Sequence, residues 1–108
     1  MKIKNLILAA MLLIPFPSYA VGTYIGKLQP YFYTDALYLI PVESQISNKP
    51  DCVKRNYLRL PNTPDSPFFD AKFSILLSAW VAKQELLVTG TGECTGEGDE
   101  IIRSIKPL

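Results

Sequence analysis

The chain holds two cysteines, Cys52 and Cys94, and no histidine. Thiols can bond to each other, bind a metal or act as nucleophiles, but a nucleophilic thiol needs a base partner, usually histidine. We therefore predict a disulfide between Cys52 and Cys94, with two free thiols as the alternative. The bond would close a long loop, for which the chain-entropy model gives about 4 kcal/mol of stabilisation.

The missing histidine also limits catalysis and metal binding. It excludes a Ser-His-Asp triad, a Cys-His pair and metal sites that use histidine ligands. An acidic cluster, Glu93, Glu97, Asp99 and Glu100, could bind calcium, but it lacks the alternating acidic spacing of a calcium loop. We interpret the cluster as a solvated glycine-rich turn, and we predict a protein that is not an enzyme and has no metal or cofactor.

Aromatic side chains offer the clearest binding chemistry. Tyr31, Phe32 and Tyr33 are consecutive. Because successive side chains of a strand alternate between its faces, at least one of the three must be exposed or lie at an interface. Aromatic rings give large contact areas at low entropy cost and can stack on sugars or on a partner protein. We predict a binding surface at these residues; the alternative is that individual rings belong to the core.

The N-terminal segment has the three parts of a secretory signal. Lys2 and Lys4 precede an apolar run at residues 6–14, and small residues lead up to Ala20. A membrane anchor is the alternative, but two prolines end the apolar run before the roughly 20 residues that a spanning helix needs. We predict cleavage after Ala20, no membrane anchor in the mature chain, and a location in the periplasm or outside the cell, where disulfides persist.

Residues 1–20 are thus predicted to be a signal peptide and residues 21–108 a single domain. A domain of this size buries only a thin core, so a covalent crosslink adds usefully to its stability. The chain carries 11 basic and 10 acidic residues, and this balance argues against nucleic-acid binding, which usually requires a basic face.

Five segments of this domain have strand character. Alternating or continuous apolar residues, bounded by turn residues, mark each segment. Pro30 should interrupt the first strand, since proline cannot donate to a ladder, and residues 44–51 should form a polar loop. The predicted strands cover residues 23–28, 36–42, 53–60, 86–89 and 101–106.

One helix is predicted between the third and fourth strands. Asp65 or Ser66 can cap it, Pro67 suits its first position, and Lys83 suits its last turn. Apolar residues at helical spacing should face the core: Phe69, Phe73, Leu76, Leu77, Trp80 and Val81. The other side carries few charges, and we expect it either to contact a neighbouring subunit or to form a mildly apolar exposed face. The residues of this candidate interface are Ala71, Ile75, Ala79 and Ala82.

The predicted order β-β-β-α-β-β indicates a mainly β protein with one helix and one disulfide. In a small five-stranded Greek-key barrel of the OB type, the helix lies between the third and fourth strands, as it does here. A β-grasp fold and an open sandwich with one helix are the alternatives.

Residues 73–94, with the sequence FSILLSAWVAKQELLVTGTGEC, resemble part of a group of small exported bacterial proteins. In that group a helix of the type LSALLAA runs into a strand and a GTGxC turn, with an earlier cysteine upstream. The group is similar in layout to the B subunits of subtilase-cytotoxin and typhoid-toxin type. The resemblance implies an OB-like barrel, a pentameric ring and binding to host glycans, and it assigns no glycan contact to a particular residue. The matching positions are Leu76, Leu77, Ser78, Ala79, Gly90, Gly92, Cys94, Glu100 and, upstream, Cys52.

The leading hypothesis is therefore an exported, non-catalytic binding module of the ring-forming B-subunit type, which recognises a glycan or a protein. The alternative is a stand-alone periplasmic inhibitor or protective protein that acts on an envelope enzyme. A native mass would separate a ring from a monomer.

Overall fold

The computed structural model describes residues 20–34, 36–63 and 67–108. Over these residues the chain forms five strands and one helix, which confirms the predicted mainly β composition. In chain order the elements are β1 (Thr23–Tyr33), β2 (Ala36–Ser47), β3 (Leu58–Leu60), α1 (Phe69–Val81), β4 (Leu86–Cys94) and β5 (Glu100–Pro107).

The five strands form one closed barrel in the order β1-β2-β3-β5-β4, which closes where β1 pairs with β4. Neighbouring strands are antiparallel except β3 and β5, which are parallel. The β1–β2 ladder shifts register after Gly26. Gly26 has a φ of +141°, and the backbone of Glu43 leaves no room there for a side chain, so the bulge requires glycine.

Most side chains in the barrel interior are apolar, and they come from the strands and from α1. Because side chains alternate along a strand, β1 buries Tyr24, Gly26 and Leu28, while Ile25 and Lys27 between them stay partly exposed. α1 contributes Leu76 and Ala79. The buried cluster consists of Tyr24, Leu28, Leu37, Leu39, Leu58, Leu60, Leu76, Ala79, Leu86, Val88 and Ile102.

The first two strands are longer than predicted. β1 continues through Pro30, which pairs with Leu39 of β2. β4 pairs with β1 only over residues 23–26, so the missing N–H of Pro30 costs no bond on that side. β2 continues into the predicted loop at residues 44–51, because residues 44–47 pair with the start of β1.

The third strand is shorter than predicted, because its first part belongs to a loop held by other contacts. The predicted Cys52–Cys94 disulfide is present, with 5.9 Å between the Cα atoms. Beyond it, the N–H of Val53 donates to Pro50 O at 3.1 Å and the N–H of Lys54 to Gly98 O at 3.0 Å. β3 therefore begins only at residue 58.

The helix begins later and ends earlier than predicted. Pro67 precedes it, and Phe68 leads into it in the left-handed conformation (φ 66°) without a side-chain cap. The predicted caps Asp65 and Ser66 lie outside the described residues. At the other end Lys83 lies beyond the helix, with a φ of 55°.

The division of α1 into two faces also needs correction. Leu77 and Val81, which were predicted to face the core, are 43% and 74% exposed. Ala79 needs the opposite correction. This residue was assigned to the candidate interface, but it is buried in the core. It follows Leu76 by three positions and so lies on the same side of the helix. Leu77, one position from Leu76, is turned away by about 100°. The exposed positions of α1 and its C-cap include Ala71, Ile75, Leu77, Val81 and Ala82.

The predicted signal peptide lies outside the described residues apart from Ala20, which is exposed and precedes β1. Among the residues that are described, no helix is long and apolar enough to cross a membrane.

Candidate functional site

A cavity of about 300 Å³ opens beside the C-terminal end of β1. β1 and β2 supply tyrosines to it, the loop before β3 supplies an arginine and a tyrosine, and the turn before β5 supplies a glutamate. We call it the tyrosine pocket; its lining residues are Tyr31, Tyr33, Tyr38, Arg55, Tyr57 and Glu97.

The three consecutive aromatics of the predicted binding surface divide between two faces of β1. Tyr31 and Tyr33 lie on the pocket side, with near-parallel rings whose centroids are 6.4 Å apart. They are 44% and 62% exposed. Phe32 points to the other face, where its ring lies 5.3 Å from that of Phe73 in α1. Strand alternation thus assigns two of the three rings to the pocket and one to the helix.

The inner part of the pocket combines aromatic rings with guanidinium groups. The rings of Tyr38 and Tyr57 meet edge to face at 6.3 Å. The guanidinium carbon of Arg55 lies 5.2 Å from the Tyr38 centroid and 5.0 Å from that of Tyr57. Arg59 lies 4.3 Å from the Tyr38 centroid. These distances are typical of cation–π contacts, which fix the planes of the rings and the guanidinium groups relative to each other.

Two carboxylates neutralise the two arginines. Arg55 Nε and Nη2 donate to Asp99 Oδ1 and Oδ2 at 2.6 and 2.9 Å, and Nη2 also donates to Glu97 Oε2 at 2.7 Å. Arg59 Nη2 donates to the Tyr38 hydroxyl at 2.8 Å and lies 3.3 Å from Asp99 Oδ2. The bonds to Asp99 are the main reason that the pKa of Arg55 is raised above its usual value. The guanidinium of Arg55 is therefore positively charged and held in a fixed orientation.

The disulfide joins the two loops that carry these charges. Arg55 follows Cys52 by three positions, and Glu97 follows Cys94 by three. The turn between Cys94 and β5 is closed by Gly98, whose N–H donates to Thr95 O at 3.0 Å. Because the bond fixes both loops at one point, it positions the guanidinium opposite its carboxylates.

A second polar cluster lies inside the barrel around Glu100, and we call it the interior cluster. Glu100 is fully buried. Its Oε1 accepts a 2.7 Å bond from the Tyr24 hydroxyl, and its Oε2 accepts bonds from the N–H groups of Gly22 and Gly92 at 3.1 and 3.0 Å. A methyl group at Gly22 or Gly90 would collide with this carboxylate, so both positions need glycine. Burial, followed by the hydrogen bond to Glu100, raises the pKa of Tyr24.

The interior cluster corrects the interpretation of the acidic segment as a solvated turn. Glu93 and Glu97 are exposed, whereas Asp99 and Glu100 are buried. Among the residues with described positions, no group of three His, Cys, Asp or Glu side chains is placed to hold a metal ion. Instead, Glu97 and Asp99 bind arginines, and Glu100 binds groups in the barrel interior.

A larger depression, about 490 Å³ in volume, lies near the end of α1 and is lined in part by Trp80 and Val81. Its charged residues include Lys27 and Glu43, which pair with each other across the β1–β2 ladder at 3.4 Å. The tyrosine pocket differs because its exposed rings converge on hydrogen-bonding groups whose orientation is already fixed. That arrangement is typical of ligand sites.

Of the pocket residues, Tyr31 and Tyr33 were predicted from the sequence to form a binding surface. Glu97 was noted only as part of the acidic segment, and Arg55 was not connected with the site. A usable signal was present: both charged residues lie three positions after a cysteine, so a disulfide between those cysteines predicts that the charges meet. No protein-family model, curated protein or solved structure matches this chain.

Proposed function

We propose that this chain is an exported, non-catalytic binding protein whose tyrosine pocket holds a sugar residue of a glycan. The observation that carries the proposal is the pair of exposed, near-parallel rings of Tyr31 and Tyr33 beside Glu97. A sugar presents an apolar C–H face and a rim of hydroxyl groups. Tyrosine rings suit the face, and a carboxylate suits the hydroxyl rim because it accepts several hydrogen bonds.

The preorganisation of the pocket supports this proposal. Tyr38 is 6% exposed, and its hydroxyl both donates to Glu97 Oε2 at 3.1 Å and accepts from Arg59. The polar groups are therefore oriented before a ligand arrives, which lowers the entropy cost of binding. The cavity of about 300 Å³ matches the lower end of small-molecule sites.

We further propose an OB-like barrel that assembles as a ring, as in the B subunits named above. The closed order β1-β2-β3-β5-β4, with parallel β3 and β5 and with α1 between β3 and β4, supports an OB-like arrangement. One side of α1 and its C-cap, formed by Ala71, Ile75 and Ala82, is exposed, with Ile75 at 41%. This apolar side supports a contact between subunits. Sedimentation that shows a monomer at all concentrations would contradict the ring.

A glycan array tests the binding function. The mature chain should bind a subset of glycans, and Tyr33→Ala should lose at least about tenfold in affinity because it removes a stacking ring. Phe32→Ala is the matched control, since it removes a neighbouring ring of similar exposure, 55% against 62% for Tyr33, from the other face of β1. A folded protein that binds no glycan would contradict the proposal, and capture of a single envelope enzyme would favour the inhibitor alternative.

A further inference from the structure

We infer that the tyrosine pocket selects uncharged sugars and discriminates against anionic ones such as sialylated or sulfated sugars. The inference rests on the proposed glycan binding and deepens it. It is based on how the charges in and behind the pocket are already paired.

The charges of the site cancel. Arg55 and Arg59 face Glu97 and Asp99, with every pair at 2.6 to 3.4 Å. The cationic side of the site therefore has no excess charge to offer an anion. Free arginines would attract a carboxylate or sulfate, but here the protein's own carboxylates occupy them.

An anion could bind Arg55 strongly only by displacing Asp99. The Asp99 side chain is fully buried and receives both Nε and Nη2 of Arg55. A displaced Asp99 would be a buried charge with weakened compensation, which is strongly unfavourable. Arg59 offers little more, because its side chain is only 19% exposed and its Nη2 already meets Tyr38, Glu97 and Asp99.

The groups that do face the opening favour neutral hydroxyl donors. Glu97 is 60% exposed, the most accessible of the four charges. Its carboxylate accepts hydrogen bonds from hydroxyls and repels anions. The negative π faces of Tyr31 and Tyr33 act in the same direction, since they favour polarised C–H groups over anionic ones.

The test uses an array of paired glycans, in which each neutral oligosaccharide is printed beside the same chain with a terminal sialic acid or sulfate. The chain should bind the neutral member of a pair at least about threefold to tenfold more tightly, the range expected for one unit charge in a solvated site. Glu97→Gln should reduce this preference. Glu93→Gln, the same charge change at an exposed residue outside the pocket, should leave it unchanged.

The possible results distinguish an error in the predicted charge preference from an error in the proposed glycan binding. Binding that favours the anionic members would overturn the inference and leave glycan binding intact. Equal loss of the preference in Glu93→Gln and Glu97→Gln would also overturn it, because the effect would then come from net charge and not from the pocket. If no glycan of either kind binds the folded protein, the proposed function fails and the inference fails with it.

Discussion

Asp99 and Glu100 are neighbours in the chain and both carboxylates are fully buried, but they are stabilised in different ways. Asp99 pairs with two arginines at the wall of the tyrosine pocket. Glu100 lies in the interior cluster, where its hydrogen bonds come from the Tyr24 hydroxyl and two glycine N–H groups. The charge of Asp99 is therefore compensated by two guanidinium groups, and that of Glu100 only by neutral hydrogen-bond donors.

Adjacent residues of the chain thus belong to two different parts of the molecule, the proposed binding site and the barrel interior. Asp99 precedes β5 and binds Arg55 of the loop before β3, whereas Glu100 is the first residue of β5 and binds Tyr24 of the barrel core. Asp99 orients groups that a ligand can reach. Glu100 joins the segment before β1 to β4 and β5, so its removal should disturb the whole barrel.

The largest expected effect follows the loss of Glu100. Glu100→Ala leaves the Tyr24 hydroxyl and the N–H groups of Gly22 and Gly92 without their acceptor and opens a cavity. We expect the free energy of unfolding to fall by about 3–5 kcal/mol. Urea unfolding measures this, with Glu93→Ala as the exposed control, expected within about 0.5 kcal/mol of the parent. A Glu100→Ala variant as stable as that control would show that the interior cluster does not hold the barrel together.

Loss of the disulfide should come next. A Cys52→Ser, Cys94→Ser double variant removes the crosslink between residues 42 positions apart. We expect it to lower the free energy of unfolding by about 2–4 kcal/mol. Because the bond also fixes the loops that carry Arg55 and Glu97, glycan affinity should fall at temperatures where the variant is still folded. Equal unfolding of variant and parent under non-reducing conditions would contradict the account.

Asp99→Asn should affect stability less than Glu100→Ala and affect binding more. Arg55 is 41% exposed, so water can replace part of the lost partner, and we expect a cost of about 1–2 kcal/mol. The guanidinium loses its fixed orientation, so affinity for the neutral glycan should drop. Isothermal titration and urea unfolding on the same sample measure both quantities. A variant that loses stability and keeps full affinity would show that Asp99 does not contribute to glycan binding.

The interior cluster should also respond to alkaline pH. Burial raises the folded-state pKa of Tyr24 above the ordinary value of about 10 for a tyrosine. The protonated phenol therefore contributes stability that is complete below about pH 10 and is lost as the pH rises further. Between pH 10 and 11 the free energy of unfolding should therefore fall by about 1 kcal/mol. Unfolding of the parent and of Tyr24→Phe over this range isolates the effect. If the free energy of unfolding falls equally with pH in the two proteins, Tyr24 is not the group responsible.

Part of this architecture could be predicted from the sequence. Periodicity located all five strands and the helix, and the missing histidine favoured the disulfide. Strand boundaries were harder to predict. β1 continues through Pro30 because β4 no longer pairs with β1 at that point, and the sequence does not show where this pairing ends. Ala79 was misassigned because its small side chain gives little hydrophobic signal, although it lies on the buried side of α1.

The polar contacts of the pocket were harder to predict. Arg55 and Asp99 are separated by 44 positions, and only the disulfide implies that they meet. The contrast between Asp99 and Glu100 cannot be inferred from two adjacent acidic letters in a glycine-rich segment. It depends on where β5 begins and therefore on tertiary structure.

A titration with a neutral glycan from the array, monitored by the amide chemical shifts of the ¹⁵N-labelled protein, shows which part of the molecule the glycan contacts. We expect the largest changes at Tyr31, Tyr33, Arg55 and Glu97. The amides of Gly22 and Gly92 around Glu100 should not move. Shifts confined to α1 or to the interior cluster, with the tyrosine pocket unchanged, would contradict the assignment of the tyrosine pocket as the binding site.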